Sequence, residues 1–283
     1  MLSIEQEMKG KTAVVTGGNT GIGYGCAEAF VDAGMNVVIA ARREDLGYKM
    51  ADNLTGRGGG ECVFFKCDVS VPDEVKALID FAVDRYGRLD TMVNNAGYVP
   101  THLDACDMSI ESFQNVIACN LMGQFYGCKY AIPHLRKTKG SIINMSSIIA
   151  KIGQEQTAGY SSTKGGIVSL TKTLSIEEAR HGVRVNALCP GHIVTELFYN
   201  EMRKVADPEA YEERCNNYAW LGRGGTPEEI GKTALFLASP WAGFITGVAL
   251  NVSGGMEFGT IPKFYAFDVS AETMRNEEAG SDH

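Results

Sequence analysis

The sequence predicts an α/β protein with a doubly wound, seven-stranded parallel sheet, arranged as three α/β/α layers. Two observations lead to this prediction. Short runs that are apolar on both faces of a strand recur along the chain, and segments with helical spacing lie between them. Such alternation is typical of βαβ units, whose right-handed crossovers build a parallel sheet with helices on both sides.

Seven segments are predicted to be strands because they are rich in β-branched and other apolar residues. They are Lys11–Thr16, Asn36–Ala41, Cys62–Cys67, Thr91–Asn94, Ser141–Met145, Val183–Leu188 and Val248–Val252. Helical spacing is clear in Gly21–Ala33 and in Pro72–Tyr86, where the proline suits a first helical turn. One domain is predicted for residues 1–259. Residues 260–283 are predicted to be a C-terminal extension with an aromatic stretch and an acidic tail.

Composition and charge exclude several function classes. Of 283 residues, 45% are hydrophobic and 21% are charged, as in soluble globular proteins. The net charge of -8 argues against nucleic acid as a partner. Neither a bilayer-spanning run nor a signal-peptide pattern is predicted. Eight cysteines without a Cys-x-x-Cys pair predict no metal site, and they favour reduced thiols in a cytoplasmic protein.

A glycine-rich segment joins the first predicted strand to a helix. Residues 16–23 read TGGNTGIG, so the glycines follow G-x-x-x-G-x-G rather than G-x-G-x-x-G. Glycine permits the sharp turn, and the helix N-terminus presents free N–H groups to a phosphate. A tight turn without a ligand would need similar residues, but the position between strand and helix favours a nucleotide.

The end of the second predicted strand indicates which nucleotide binds. A carboxylate there would bind the ribose 2′-hydroxyl of NAD, but the sequence has Ala41, followed by Arg42 and Arg43. Arginine forms charge-assisted hydrogen bonds to a 2′-phosphate. The sequence therefore predicts NADP(H) over NAD(H). The alternative is that both arginines only solvate the start of a helix.

Ser147, Tyr160 and Lys164 are candidate catalytic residues. Ser147 follows a predicted strand, and Tyr160 and Lys164 are four residues apart, so that they share one helix face. A cation beside a tyrosine lowers its pKa, which lets Tyr160 act as an acid in ketone reduction and a base in alcohol oxidation. A Tyr–Lys pair at this spacing also occurs by chance on helix surfaces, but the glycine-rich segment favours catalysis.

In their order, these motifs make the chain resemble the short-chain dehydrogenase/reductase family in its single-domain branch. The resemblance runs from about residue 9 to residue 259 and includes CDV at 67–69, NNAG at 94–97 and CPGHIVT at 189–195. It implies a Rossmann fold and an NAD(P)-dependent enzyme acting on CH–OH groups. The spacing of Tyr160 and Lys164 differs from the enoyl-reductase variant of the family, in which the lysine lies later. The usual aspartate of the final strand motif is Ser253 here.

The resemblance implies a role for each matching residue. In the catalytic set, Ser147 would orient the substrate and Asn120 would support a water-linked proton relay behind Lys164. The implied cofactor-binding residues are Gly17, Asn19, Thr20 and Ile22 at the pyrophosphate and adenosine ribose, Asp68 and Val69 at the adenine, Asn95, Ala96 and Gly97 at the adenine ribose, and Pro190, Gly191, Ile193, Thr195, Tyr160 and Lys164 at the nicotinamide end. Arg42, assigned above from the end of the second strand, completes the set at the 2′-phosphate. Without the family, Asp68, Asn95 and Pro190 would be assigned to turns.

The small-molecule substrate is less well defined. Its variable wall is predicted in residues 98–104, 148–158 and 196–220. The last stretch is aromatic, which predicts either an apolar lid over a bulky substrate or a helix pair packed on the core. A hydroxysteroid or another bulky secondary alcohol is favoured, and 3-oxoacyl thioesters and polyols remain open. The alternative of another class, a non-catalytic nucleotide sensor, would not need the acid/base residues.

Assembly is also implied by the resemblance, because the family commonly forms tetramers or dimers. The contact helices would be about Ile110–Arg136 and Thr157–His181. A homotetramer or homodimer is therefore expected. The aromatic stretch Phe258–Phe267 lies past the usual end of the family, and we interpret it as a segment that reaches a subunit interface or a neighbour's cleft.

Overall fold

A computed structural model describes residues 2–57, 59–100 and 102–259 of the chain. Within these ranges seven strands form one sheet: β1 (Thr12–Thr16), β2 (Asn36–Ala41), β3 (Cys62–Lys66), β4 (Thr91–Asn94), β5 (Ser141–Met145), β6 (Arg184–Pro190) and β7 (Ala249–Val252). All neighbouring strands are parallel, in the order β3-β2-β1-β4-β5-β6-β7. The predicted fold class is confirmed.

Helices connect the strands, as parallel pairing requires. The described helices are α1 (Ile4–Met8), α2 (Gly21–Asp32), α3 (Glu44–Thr55), α4 (Pro72–Tyr86), α5 (Ile110–Val116), α6 (Gly123–Thr138), α7 (Ala158–Ala179), α8 (Glu196–Met202), α9 (Pro208–Asn216) and α10 (Pro227–Ala238). Strand β6 runs two residues beyond its predicted end. Pro190 is tolerated there because it is the last residue of the strand.

Two hydrophobic cores lie on opposite faces of the sheet, since side chains alternate along each strand. Val15 and Ile39 face the core formed with α2, α3 and α10, where Phe30 is fully buried. Val14 and Val38 face the core formed with α4, α6 and α7. Burial on both faces explains why the strands read as continuous apolar runs.

The predicted helix over 110–136 is divided into three parts. A π-helical segment, Ile117–Met122, separates α5 from α6. Such segments are rare and are frequent at functional sites. It carries Asn120, so the irregularity lies where the sequence predicts a site residue. The predicted extension, residues 260–283, lies outside the described residues, as does nearly all of the aromatic stretch, so the domain division stays a prediction.

Candidate active site

A cavity of about 590 Å³ lies at the carboxyl ends of the strands. It opens where β1 is flanked by β2 on one side and β4 on the other, the place where open α/β sheets bind ligands. All predicted site residues except Asn120 line it: Gly17, Asn19, Thr20, Ile22, Arg42, Asp68, Val69, Asn95, Ala96, Gly97, Ser147, Tyr160, Lys164, Pro190, Gly191, Ile193 and Thr195. The fold thus brings together residues from six strand ends, those of β1 to β6.

The glycine-rich loop between β1 and α2 has a shape that admits a phosphate group. Gly17 has a φ of +66°, and a Cβ on Gly23 would lie 2.2 Å from the Gly17 carbonyl oxygen, so both positions require glycine. Asn19 is buried, and its Nδ2 has no hydrogen-bond partner among the described residues. This unpaired donor and the free N–H groups at the start of α2 fit a pyrophosphate.

The end of β2 presents a cation rather than a carboxylate. The strand ends at Ala41, and the next side chain, Arg42, is 77% exposed. The Arg42 Nη1 lies 3.9 Å from Asp68 Oδ2, too far for a hydrogen bond. Burial opposes ionisation of Asp68, but its hydrogen bonds from Ser70 and the Arg42 charge outweigh burial and lower its pKa. The Arg42 guanidinium therefore lies at the rim of the cavity, and its N–H groups are available to a ligand.

Asn95 fastens the end of β4 to the glycine-rich loop. The main-chain N–H groups of Asn95 and Ala96 donate to Thr16 Oγ1, at 3.0 and 3.1 Å. Asn95 Nδ2 donates to the Thr16 carbonyl oxygen at 2.9 Å. The Asn95 side chain therefore satisfies backbone groups of the loop, and it also lines the cavity. The two sequence interpretations of this residue are compatible.

Residues 190–195, predicted to lie at the nicotinamide end of the site, come close to the glycine-rich loop. Val194 N–H donates to the Gly225 carbonyl oxygen at 2.8 Å, which pins the segment to the turn before α10. Thr195 is the N-cap residue of α8. A Cβ on Gly21 would lie 3.5 Å from Thr195 Cγ2, so the two ends of the site are in near contact.

Tyr160, Ser147 and Lys164 meet on one wall of the cavity. Tyr160 and Lys164 lie one turn apart on α7, and Lys164 Nζ is 5.3 Å from the centroid of the Tyr160 ring. The Ser147 side chain lies close enough to Tyr160 to act on the phenol as a hydrogen-bonding group. Lys164 Nζ donates to the Met145 carbonyl oxygen at 2.8 Å. An ammonium has three donors, so two remain for other partners.

Burial shifts the pKa values of Tyr160 and Lys164 in opposite senses. It raises the pKa of Tyr160 to about 12, although the Ser147 hydrogen bond opposes the rise. It lowers the pKa of Lys164 to about 8. In this state the phenol is protonated at neutral pH and the lysine is mostly charged. Desolvation thus dominates the pKa of Tyr160, and the lowering expected from Lys164 is not found here.

The structure distinguishes the two serines that follow β5. Ser146 Oγ donates to the main-chain oxygen of Lys164 at 2.8 Å and is buried, so its hydroxyl is engaged in holding α7. Ser147 is the serine whose side chain acts on Tyr160, and it is the N-cap residue of the 3₁₀ turn Ile148–Ala150. This arrangement agrees with the choice of Ser147 as the substrate-orienting serine.

Asn120 lies behind the cavity wall and is fully buried. Its Oδ1 accepts from Tyr98 N–H, and its Nδ2 donates to the Tyr98 carbonyl oxygen, both at 2.9 Å. The amide therefore clamps the segment after β4. The structure does not bring the Asn120 side chain to Lys164, and the relay implied by the resemblance stays a prediction.

Residues 196–220, which were predicted to form either an apolar lid or a helix pair packed on the core, combine features of both. Phe198 on α8 is buried, and its ring centroid lies 4.7 Å from His192 and 5.9 Å from Tyr211 on α9. The helix pair is thereby packed against the end of β6. Leu197, by contrast, is exposed and lines the cavity.

Sequence reasoning missed three residues at this site. Cys119 and Met145 line the cavity. Gln124 is buried behind it and donates to the Met145 carbonyl oxygen. Cys119 and Met145 could have been found as neighbours of Asn120 and Ser146, but nothing in the sequence distinguishes Gln124 from other polar residues of a helix.

The fold and the site define a dinucleotide-binding α/β oxidoreductase. Comparison with known proteins makes this assignment specific. The family model described as enoyl-(acyl carrier protein) reductase, one of the short-chain dehydrogenase/reductase models, matches residues 17–257. The chain therefore belongs to the short-chain dehydrogenase/reductase family. The predicted family is confirmed.

Relatives and a solved structure agree with this assignment. Rabbit (Oryctolagus cuniculus) L-fucose dehydrogenase is 42% identical over 90% of this chain and 87% of its own length. The 3beta-hydroxysteroid dehydrogenase 1 of Eggerthella lenta is 40% identical over 88% of this chain and 95% of its own. The crystal structure of Cj0485 dehydrogenase superposes with a TM-score of 0.83 at 29% identity, covering 89% of this chain and 96% of that one.

Family membership gives the coarse function. The chain is an NAD(P)-dependent dehydrogenase that acts on CH–OH groups, as predicted. The similarity to dehydrogenases favours an enzyme over the non-catalytic nucleotide sensor. Among the helices that the structure describes, none is long and apolar enough to cross a membrane.

Proposed function

We propose that the chain is an NADP(H)-dependent dehydrogenase in which Tyr160 exchanges a proton with the oxygen of a secondary alcohol or ketone. The observation that carries this proposal is the meeting of Ser147, Tyr160 and Lys164 in one cavity with the glycine-rich loop. When bound, the nicotinamide accepts or supplies the hydride. The four-residue spacing of tyrosine and lysine supports chemistry at C–O rather than at C=C.

Proton transfer follows from the environment of the Tyr160 hydroxyl. With a pKa of about 12, Tyr160 is a protonated donor at neutral pH, as ketone reduction requires. Ser147 holds the substrate oxygen at a fixed angle, and the Lys164 ammonium stabilises the phenolate that remains. Alcohol oxidation needs the phenolate first, so it depends on positive charge near the ring.

The cofactor residues fall into two groups. The loop from Gly17 to Ile22 and the start of α2 would hold the pyrophosphate, with Asn19 Nδ2 as a donor. Arg42 would pair with the ribose 2′-phosphate, because its guanidinium is exposed at the rim and no carboxylate ends β2.

Replacing Arg42 tests the preference for NADP(H). Hydrogen bonds to charged groups are worth about 1.5–3 kcal/mol, so Arg42→Ala should lower kcat/KM for NADP(H) about 10- to 100-fold. Activity with NAD(H) should change little. Initial rates with both cofactors measure this. Arg57→Ala is the charge-matched control, since Arg57 pairs with Asp32 away from the cavity. A wild-type enzyme that prefers NAD(H) would contradict the proposal.

We propose a bulky secondary alcohol of the hydroxysteroid type as the first substrate class. Tyr98, Val99 and Leu197 line the cavity and are each more than one-third exposed, which leaves apolar surface for a large ring system. The similarity to the Eggerthella lenta enzyme supports this class.

A second class, sugars and other polyols, is favoured by polar residues on the same wall. Glu196 and Asn200 line the cavity beside Leu197, and their side chains can hydrogen-bond several hydroxyls. The similarity to L-fucose dehydrogenases supports it. The substrate class can be decided by measuring reduction of the oxidised cofactor with 3β-hydroxysteroids and with L-fucose, and oxidation of the reduced cofactor with a 3-oxoacyl thioester. Turnover of the thioester alone would refute both alcohol proposals.

We propose a homotetramer or homodimer assembled through α5, α6 and α7. Ile110 and Ile176 are 75% and 78% exposed on these helices, and Phe113 and Phe125 are also exposed. Apolar surface of this kind marks protein contacts. Ile176→Asp should shift the mass measured by light scattering toward the monomer, and an unchanged mass would contradict this interface.

The cytoplasm is the proposed location. All eight cysteines are free, and six of them are buried. Burial raises the pKa of Cys26 and Cys128 to about 12, so these thiols are unreactive in a reducing compartment.

A further inference from the structure

We propose that Gln124 is a positioning residue for this reaction: it holds the Met145 carbonyl oxygen to which Lys164 also donates, and so fixes the ammonium beside Tyr160. The inference rests on the proposed function. It adds a residue to the site that neither the sequence motifs nor the lining of the cavity indicate.

Two donors converge on one main-chain oxygen. Gln124 Nε2 lies 2.9 Å from the Met145 oxygen, and Lys164 Nζ lies 2.8 Å from it. A carbonyl oxygen has two lone pairs and accepts both bonds. Gln124 is the second residue of α6, and α6 begins directly after the π-helical segment. The irregular helix therefore carries both Asn120 and Gln124 to the site.

The burial of Gln124 makes its amide a cost to the stability of the fold. The side chain is 2% exposed, and its Oε1 has no hydrogen-bond partner within the described parts of the chain. A buried acceptor without a partner costs about 1–3 kcal/mol. An apolar side chain of the same length would avoid this cost. The one bond that the amide makes, to the Met145 oxygen, is therefore the feature that needs a functional explanation.

Sharing the carbonyl oxygen limits how strongly it attracts the ammonium. Without Gln124, both lone pairs would serve Lys164, and Nζ would be drawn toward Met145 and away from the Tyr160 ring. The titratable groups that face Lys164 are Tyr160 on α7, Cys119 on the π-helical segment and Cys189 on β6. Asp68, Arg42 and Lys151 act on the two thiols from farther away.

The ionisation of Lys164 should therefore be sensitive to a change at the Met145 oxygen, its hydrogen-bond acceptor. Burial lowers the pKa of Lys164 to about 8, so its ionisation falls within the assay range. A stronger acceptor favours the ammonium and moves this ionisation to higher pH. Displacement of the reacting groups lowers kcat, whereas binding of the alcohol should change little.

Gln124→Met removes the donor and keeps the length of the side chain. Because small displacements near reacting groups lower rates steeply, kcat should fall about 10- to 100-fold. KM for the alcohol should stay within about twofold, and the alkaline limb of the pH profile should move to higher pH. A kcat and a pH profile that both match the wild type would overturn the proposal.

Gln124→Glu gives an independent test with a pH-dependent outcome. A protonated carboxyl donates to the Met145 oxygen as the amide does, whereas an ionised carboxylate can only accept and would pair with Lys164. Activity relative to wild type should be highest at acidic pH and should fall as pH rises. A ratio that does not vary with pH would refute the donor role. This variant carries the test if Gln124→Met does not fold.

Asn186→Leu is the matched control, and Tyr160→Phe separates the two proposals. Asn186 is also buried, and its Nδ2 donates to the Ile245 carbonyl oxygen at 3.0 Å, away from Lys164. Its loss should lower Tm without moving the pH profile; an equal shift would make the Gln124 effect merely structural. An inactive Tyr160→Phe with a wild-type-like Gln124→Met would reject only this inference, and an active Tyr160→Phe would reject the proposed function.

Discussion

Tyr160→Phe is expected to lower kcat about 10³-fold in both reaction directions, because general acid–base catalysis contributes rate factors of that order. The substitution removes one oxygen atom and keeps the ring, whose place beside Lys164 is set by the α7 backbone. Among the described residues of the cavity wall, Tyr160 is the titratable group that lies beside both Ser147 and Lys164. Initial rates at saturating alcohol and cofactor measure the loss.

The control for this experiment must separate catalysis from folding. Tyr48→Phe removes the same atom from an exposed ring that packs on Phe64, and it should leave kcat unchanged. Cofactor binding to Tyr160→Phe, followed by fluorescence, should stay within a few-fold of wild type. A Tyr160→Phe enzyme that keeps more than half of its turnover would refute the assignment of the proton donor.

Lys164→Met is expected to abolish most activity and to stabilise the fold. The ammonium is buried and bonds only the Met145 oxygen among the described residues. Loss of its charge should lower kcat about 10²- to 10³-fold, since preorganised charge of this kind is worth several kcal/mol to a transition state. The pKa of this lysine falls from 10.5 to about 8 on burial, which corresponds to about 3 kcal/mol of destabilisation that methionine removes.

The sign of the pH dependence follows from linkage. The pKa of Lys164 is lower in the folded chain than in the unfolded chain, so its charge destabilises the fold at every pH below about 8. The penalty is relieved as pH rises from about 8 toward 10.5. The Tm advantage of Lys164→Met should therefore be full at pH 7 and small near pH 10, as thermal unfolding at several pH values would show. A Tm below that of wild type at pH 7 would contradict the argument.

The glycine-rich segment shows why much of this site could be predicted. The turn between β1 and α2 depends on local geometry, because Gly17 adopts a positive φ and Gly23 contacts backbone. Such constraints act within a few residues, so they leave a readable pattern. The same holds for the pairing of Tyr160 with Lys164, which one turn of helix places on one face.

Contacts between distant parts of the chain could not be predicted in this way. The sequence gives no sign that Gln124 and Lys164, forty residues apart, donate to one carbonyl oxygen. Asn120 was expected behind Lys164, but the π-helical segment turns its amide to Tyr98. These outcomes depend on how α6 and α7 pack across β5, which no local pattern encodes.

Strand–helix alternation and turn geometry act locally, so the fold class, the family and most of the residues that meet at the strand ends could be predicted from the order of the residues. The ionisation of the site depends instead on tertiary packing. Burial raises the pKa of Tyr160 to about 12, whereas the nearby cation alone was expected to lower it. Burial also lowers the pKa of Lys164 to about 8. Desolvation depends on every group packed around an atom, so it exists only once the whole chain has folded.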